Sequence, residues 1–173
     1  MKTLIAYYSR RGENYVDGKI ANLAVGNTEV AAAMMQKLTG GDAFRIDTVK
    51  TYPGDYGETT EAAKEELRRN ARPELKSRVA DMSEYDVVVL GYPNWWGTMP
   101  MAVFTFLEEH DWKGKTILPF CTHEGSGLAR SVGDIKRACA GATVSAGLAI
   151  RGGRVHGAEA EIAAWLEANG LLR

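Results

Sequence analysis

The chain has only two cysteines, Cys121 and Cys139, and no surplus of positive charge: 21 Lys and Arg stand against 22 Asp and Glu, a formal net charge of -1. Without excess basic residues to meet a phosphate backbone, nucleic-acid binding is not expected. No segment approaches the roughly 20 apolar residues of a membrane-spanning helix. The opening MKTLIAYYSRR holds too short an apolar run for a secretory signal. A soluble, cytoplasmic protein is therefore expected, its cysteines buried thiols rather than a disulfide. Neither the cysteines nor the three histidines fall at metal-ligand spacing.

Several signatures of chemistry are also missing. No G-x-G-x-x-G follows the first apolar run, and no G-x-x-x-x-G-K-[ST] lies between Gly12 and Thr28. Tyr7, Tyr8 and Ser9 stand where a receiver domain would carry metal-binding carboxylates. The stretch HEGSG places Ser126 near His123 but is not a G-x-S-x-G elbow. The first arginine after Cys121 is Arg130, too distant for the anion loop of a cysteine phosphatase.

What is present fits one domain spanning 1–173, with 45% hydrophobic residues to supply a core. TLIAYY, AFRID, YDVVVLGY, KTILPFC and TVSAGLAI read as five strands. The run Val87–Leu90 has no alternation, which implies burial on both faces. Between the strands lie helical segments: EVAAAMMQKLTGG, with Val30, Met34 and Leu38 four apart, then ETTEAAKEELRRN, MAVFTFLEE, GLARSVGDIKRACAG and GAEAEIAAWLEANG. Strands alternating with helices predict an α/β fold, a parallel sheet covered on both faces. One connection is far longer than the usual ~2–6 residues: Arg11–Val25, between the first strand and the first helix.

In such sheets ligands bind beyond the carboxyl ends of the strands. After the first strand come Ser9 and, past the long loop, Gly26, Asn27 and Thr28 at a helix start, where free N–H groups suit an anion. Asn27 or Thr28 could equally be an ordinary helix cap. After the third strand comes PNWWG, Pro93–Gly97, and after the fourth THEGSG, Thr122–Gly127. Trp95 and Trp96 offer a stacking surface, or else pack in the core or at a subunit interface. His123 offers an imidazole, or is simply an exposed loop residue. A phosphate joined to a planar ring would suit all three turns together.

These three segments, LIAYYS…GNTE, DVVVLGYPNWWGTMP and FCTHEGSG, resemble those of the flavodoxin family, and the resemblance runs over nearly the whole chain. It implies a three-layer α/β/α sandwich with a five-stranded parallel sheet in the order 2-1-3-4-5, and non-covalent FMN. By the same resemblance Ser9, Arg10, Gly26, Asn27 and Thr28 hold the phosphate. Pro93, Asn94, Trp95, Trp96 and Gly97 flank one side of the isoalloxazine, while Thr122, His123, Glu124, Gly125, Ser126 and Gly127 meet its other edge. The family pattern S-x-T-G-N-T is split here by Arg11–Val25. A second register would use SRRGEN itself, with Arg11 and Asn14 as ligands. The insertion is expected to fold over the cofactor, with Tyr15 a contact. The implied function is electron transfer between redox partner proteins; the alternative is an NAD(P)H-dependent quinone or flavin reductase of the same fold. Carrier members are typically strongly acidic, and a net charge of -1 departs from that.

Overall fold

The computed structural model describes residues 1–172. A parallel sheet is built from β1 (Thr3–Tyr7), β4 (Asp42–Arg45), β5 (Val87–Pro93), β6 (Thr116–His123), β7 (Thr143–Val144) and β8 (Leu148–Arg151). Strand β1 lies between β4 and β5, with Leu4 opposite Asp42 and Val88, and β6 flanks β5. Counting β7 and β8 as one broken fifth strand, the order is the expected 2-1-3-4-5.

Alternate residues of each strand enter opposite halves of the core. Ile5, Val89, Leu118 and Phe120 meet Ala31, Ala32 and Met35 of α1 (Asn27–Thr39) and Ile162 and Leu166 of α5 (Glu159–Ala168). On the other face Leu4, Ala6, Leu90 and Tyr92 meet Phe106 and Leu107 of α3 (Met101–Glu108) and Ile135 of α4 (Ser131–Ala138). Burial on both sides is why Val87–Leu90 carries no polar position. Cys121 and Cys139 are buried and unpaired, and burial pushes both thiols up to about 12.

Three boundaries differ from expectation. The fifth strand is interrupted at Ser145–Gly147. Thr143 and Ser145 donate to the carbonyls of Lys115 and Ile117, so the next residue of β6 facing them is Pro119, which has no N–H to continue the ladder. Helix α4 starts at Ser131 rather than Gly127, because Gly127 (φ 61°) and Ala129 (φ 45°) adopt left-handed backbone. Helix α2 (Tyr56–Arg68) starts before Glu58, capped by Asp55, whose carboxylate accepts from the Glu58 N–H at 2.8 Å.

The long connection is a β-hairpin. Strands β2 (Gly12–Val16) and β3 (Lys19–Leu23) pair antiparallel from Gly12↔Leu23 to Val16↔Lys19. This leaves Asp17 and Gly18 as a two-residue turn, both with positive φ, as a type I′ turn requires.

Candidate functional site

At the carboxyl ends of β1, β5 and β6 the loops enclose a cavity of about 420 Å³. Its first group of residues comes from both sides of the split loop. The chain leaves at Arg10 and returns at Gly26, which packs directly against Ser9 Oγ and the Arg10 carbonyl. Gly26 is the N-cap of α1 and supplies no capping side chain. Of the first N–H groups of α1, that of Glu29 is met by Ser9 Oγ at 3.1 Å and that of Val30 by the Gly26 carbonyl. Those of Asn27 and Thr28 meet no protein acceptor among the described residues. Ser9 Oγ accepts from Glu29, so its own O–H is free to donate. Thr28 is buried and shares a 2.7 Å hydrogen bond with Thr122, tying the start of α1 to the loop after β6.

Arg10 lines the cavity, but its guanidinium donates to the carbonyls of Glu13, Pro53 and Gly54. It orders the walls more than it offers free charge. Arg11, considered in the second register, lies outside the cavity and pairs with Glu29. Asn14 of that register does line it, its amide donating to the Arg10 carbonyl at 2.9 Å. The hairpin closes over this region. Glu13 accepts from the Tyr56 N–H at 2.7 Å, Tyr15 stacks on Tyr56 with centroids 6.1 Å apart, and the Asp17 N–H at the tip reaches Glu124.

The two tryptophans part ways. Trp95 is half-buried and packs against the core, with Tyr8 and Tyr52 edge-on to it, each with centroids at 5.3 Å. Trp96 is 46% exposed at the cavity mouth. The divergence comes from a tight turn: Trp95 and Thr98 pair, and Trp96 (φ 57°) and Gly97 (φ 86°) between them both lie in the left-handed region. Such backbone is costly for a bulky residue, about 1 kcal/mol or more. It holds the indole out over the mouth, where Nε1 donates to the Thr60 carbonyl at 3.0 Å and Lys64 Nζ lies 5.4 Å from a ring centroid.

Asn94 couples the second and third loops. Its N–H donates to the Thr122 carbonyl, its side chain accepts from the Gly97 N–H and donates to the Gly127 carbonyl at 2.8 Å. His123 accepts from the Gly125 N–H through Nδ1 at 2.9 Å. Burial, with Arg151 nearby, pushes its imidazole pKa below its ordinary value, which favours the neutral form.

A flavodoxin family model matches residues 2–169. The chain belongs to the flavodoxin family. A provisionally assigned flavoprotein from Bacteroides eggerthii DSM 20697 is 30% identical, with a TM-score of 0.76, covering 96% of each chain. Another from Bacteroides uniformis ATCC 8492 is 25% identical, with a TM-score of 0.76, covering 96% of this chain and 97% of that one. A Lactobacillus acidophilus NCFM flavoprotein, whose structure was determined in complex with FMN, is 21% identical, with a TM-score of 0.63, covering 90% of this chain and 97% of that one. No curated protein matches the chain significantly.

Of the residues that the flavodoxin resemblance singles out, Ser9, Arg10, Asn27, Thr28, Pro93, Asn94, Trp95, Trp96, Gly97, Thr122, His123, Glu124 and Ser126 line this one cavity. Gly26, Gly125 and Gly127 are not among its lining residues. The sequence did not point to Tyr56, Thr59, Thr60 and Ala63 of α2, or to Gly152 after β8. The rule that ligands sit beyond strand ends applies to those strands too, but Tyr56 comes eleven positions past the end of β4 at Arg45.

Proposed function

We propose that this flavodoxin-family chain binds FMN non-covalently in the cavity and transfers electrons through it. The observation that carries the reading is the convergence of an anion cradle and an aromatic rim in one cavity. The donors fit the group. The Ser9 hydroxyl and the Asn27 and Thr28 N–H groups would hold the phosphate, with the α1 dipole adding about 0.3–1 kcal/mol. Trp96 would cover the ring, while Trp95 braces the loop from beneath. Bound flavin supplies one- and two-electron redox chemistry. The protein's part is to orient it, exclude water and limit access at the mouth. Arg10 donates to backbone carbonyls and Glu124 accepts from the Asp17 N–H, while His123, accepting at Nδ1, keeps Nε2–H as a donor. Electron transfer itself requires no proton-transferring side chain.

The test is a titration of the apoprotein with FMN and with riboflavin, followed by tryptophan quenching. FMN is expected to bind much more tightly than riboflavin; absence of FMN binding overturns the proposal. The reductase reading, with NAD(P)H and acceptor alternating over the ring, draws on the exposed Trp96 and Tyr15, which offer a second planar ligand an aromatic surface. Rapid anaerobic bleaching of the bound flavin by NADH or NADPH, with quinone turnover, would select it. Bleaching only in the presence of a partner reductase supports the carrier.

The hairpin has its own expected effect. Because Arg10 and Gly26 touch, replacing Arg11–Val25 with a single threonine restores an uninterrupted S-R-T-G-N-T without stretching the chain. The variant is expected to fold, to bind FMN about ten-fold more weakly, a loss of ~1.4 kcal/mol, and to admit iodide to the flavin. Unchanged affinity and unchanged quenching would rule out a covering role.

A further inference from the structure

Glu29 is an odd residue to find here. It sits in the first turn of α1, the helix whose N-terminus would hold a phosphate, where a second negative charge repels the ligand. Resting on the FMN proposal, we infer that Glu29, with Arg11 and Arg45, positions the anion cradle and thereby sets the preference for phosphorylated over unphosphorylated flavin.

Glu29 Oε1 accepts from Arg45 Nη1 at 2.8 Å and from Arg11 Nε at 3.0 Å, and Oε2 accepts from Arg11 Nη2 at 2.8 Å. The second arm of Arg45 donates to the Ser9 carbonyl at 3.1 Å. The Ser9 hydroxyl accepts from the Glu29 N–H. Ser9 is thus held at its carbonyl by β4 and at its hydroxyl by α1, and one carboxylate joins the two holds. Arg11 extends the same clamp to the root of the hairpin. Four segments therefore meet at Glu29: the end of β1, the hairpin, α1 and the end of β4. The carboxylate is only 17% exposed, and the Arg11 hydrogen bonds hold its pKa below the usual carboxylate value, so it stays ionised. With both guanidiniums the cluster carries a net positive charge, which offsets the repulsion that Glu29 alone would exert.

Charge and position give opposite expectations for Glu29→Gln. If the cluster acts only through charge, removing a negative group beside the cradle tightens FMN. If it acts by position, the amide can keep its oxygen toward Arg45 Nη1 and Arg11 Nε but turns an NH2 group against Arg11 Nη2, so the Arg11 hold is lost, the bond to Arg45 loses its charge assistance, and Ser9 is held less firmly. The expected result for Glu29→Gln is FMN affinity lowered about ten-fold, as for one charge-assisted hydrogen bond, with riboflavin affinity unchanged. Arg45→Gln is expected to behave alike, and Arg45→Lys not to rescue it, since one ammonium does not reproduce the planar two-armed fork. Titration of each apoprotein with FMN and riboflavin, alongside its melting curve, decides the matter. Arg45→Gln answers the question if Glu29→Gln does not fold. FMN binding kept or tightened in these variants, or FMN and riboflavin falling by the same factor, overturns the inference. Failure of the wild type to prefer FMN over riboflavin overturns the underlying FMN proposal itself.

Discussion

Gly26→Ala is expected to lower FMN affinity by at least about 100-fold, or ~2.7 kcal/mol, with a much smaller loss for riboflavin. The backbone at Gly26 has φ -67°, which alanine adopts freely, so conformation is not the obstacle. The obstacle is space: a Cβ there overlaps Ser9 Oγ and comes within 2.5 Å of the Arg10 carbonyl oxygen. Neither neighbour is the end of a long flexible side chain. To admit the methyl group, either Ser9 or the first turn of α1 must move, and both carry donors of the proposed phosphate cradle. Global stability is expected to fall by only ~1–3 kcal/mol, as for other overpacked sites. Comparing FMN and riboflavin titrations of the folded variant checks this. An FMN affinity within a few-fold of wild type would place the phosphate elsewhere.

The tryptophans should separate cleanly under substitution. Trp95→Ala is expected to cost about 2–3 kcal/mol of unfolding free energy, because it removes the ring on which Tyr8 and Tyr52 converge. Trp96→Ala is expected to change stability by less than about 1 kcal/mol, since the exposed indole buries little and alanine, keeping the Cβ, sits in the same left-handed backbone at a similar cost. Its effect appears in binding instead, as a loss of roughly ten-fold in FMN affinity. Urea unfolding of the apoproteins and FMN titration read the two effects independently. Equal losses of stability from both substitutions would contradict the division of labour between adjacent residues.

The large features were legible because they follow from periodicity. The uninterrupted valines of β5 announce a strand covered on both sides, and the spacing of Val30, Met34 and Leu38 announces a helix. The three loops that line the cavity could be found because each follows directly on such a strand. What escaped was governed by single backbone positions or by distant contacts. Asp17-Gly18 is a strong hairpin signal, yet its flanking strands are only five residues each and interleave polar and apolar positions without a continuous apolar run, so the surrounding pattern did not bring it out. The break in the fifth strand depends on Pro119, a residue of the neighbouring strand. The α2 wall reaches the cavity through tertiary packing, far along the chain from β4. Which tryptophan would turn outward depends on the left-handed Trp96-Gly97 turn, and the letters W-W are silent on that.

The hairpin begins and ends at one spot, between Arg10 and Gly26, which are already in contact. The strands of the parallel sheet can therefore keep their places however much polypeptide is looped out there, although α1 and α2 feel its contacts. Length and character of that excursion can be altered while the barely separated ends keep the architecture beneath them intact. A chain with such a seam can have the doorway to its cavity reshaped without redesigning the house.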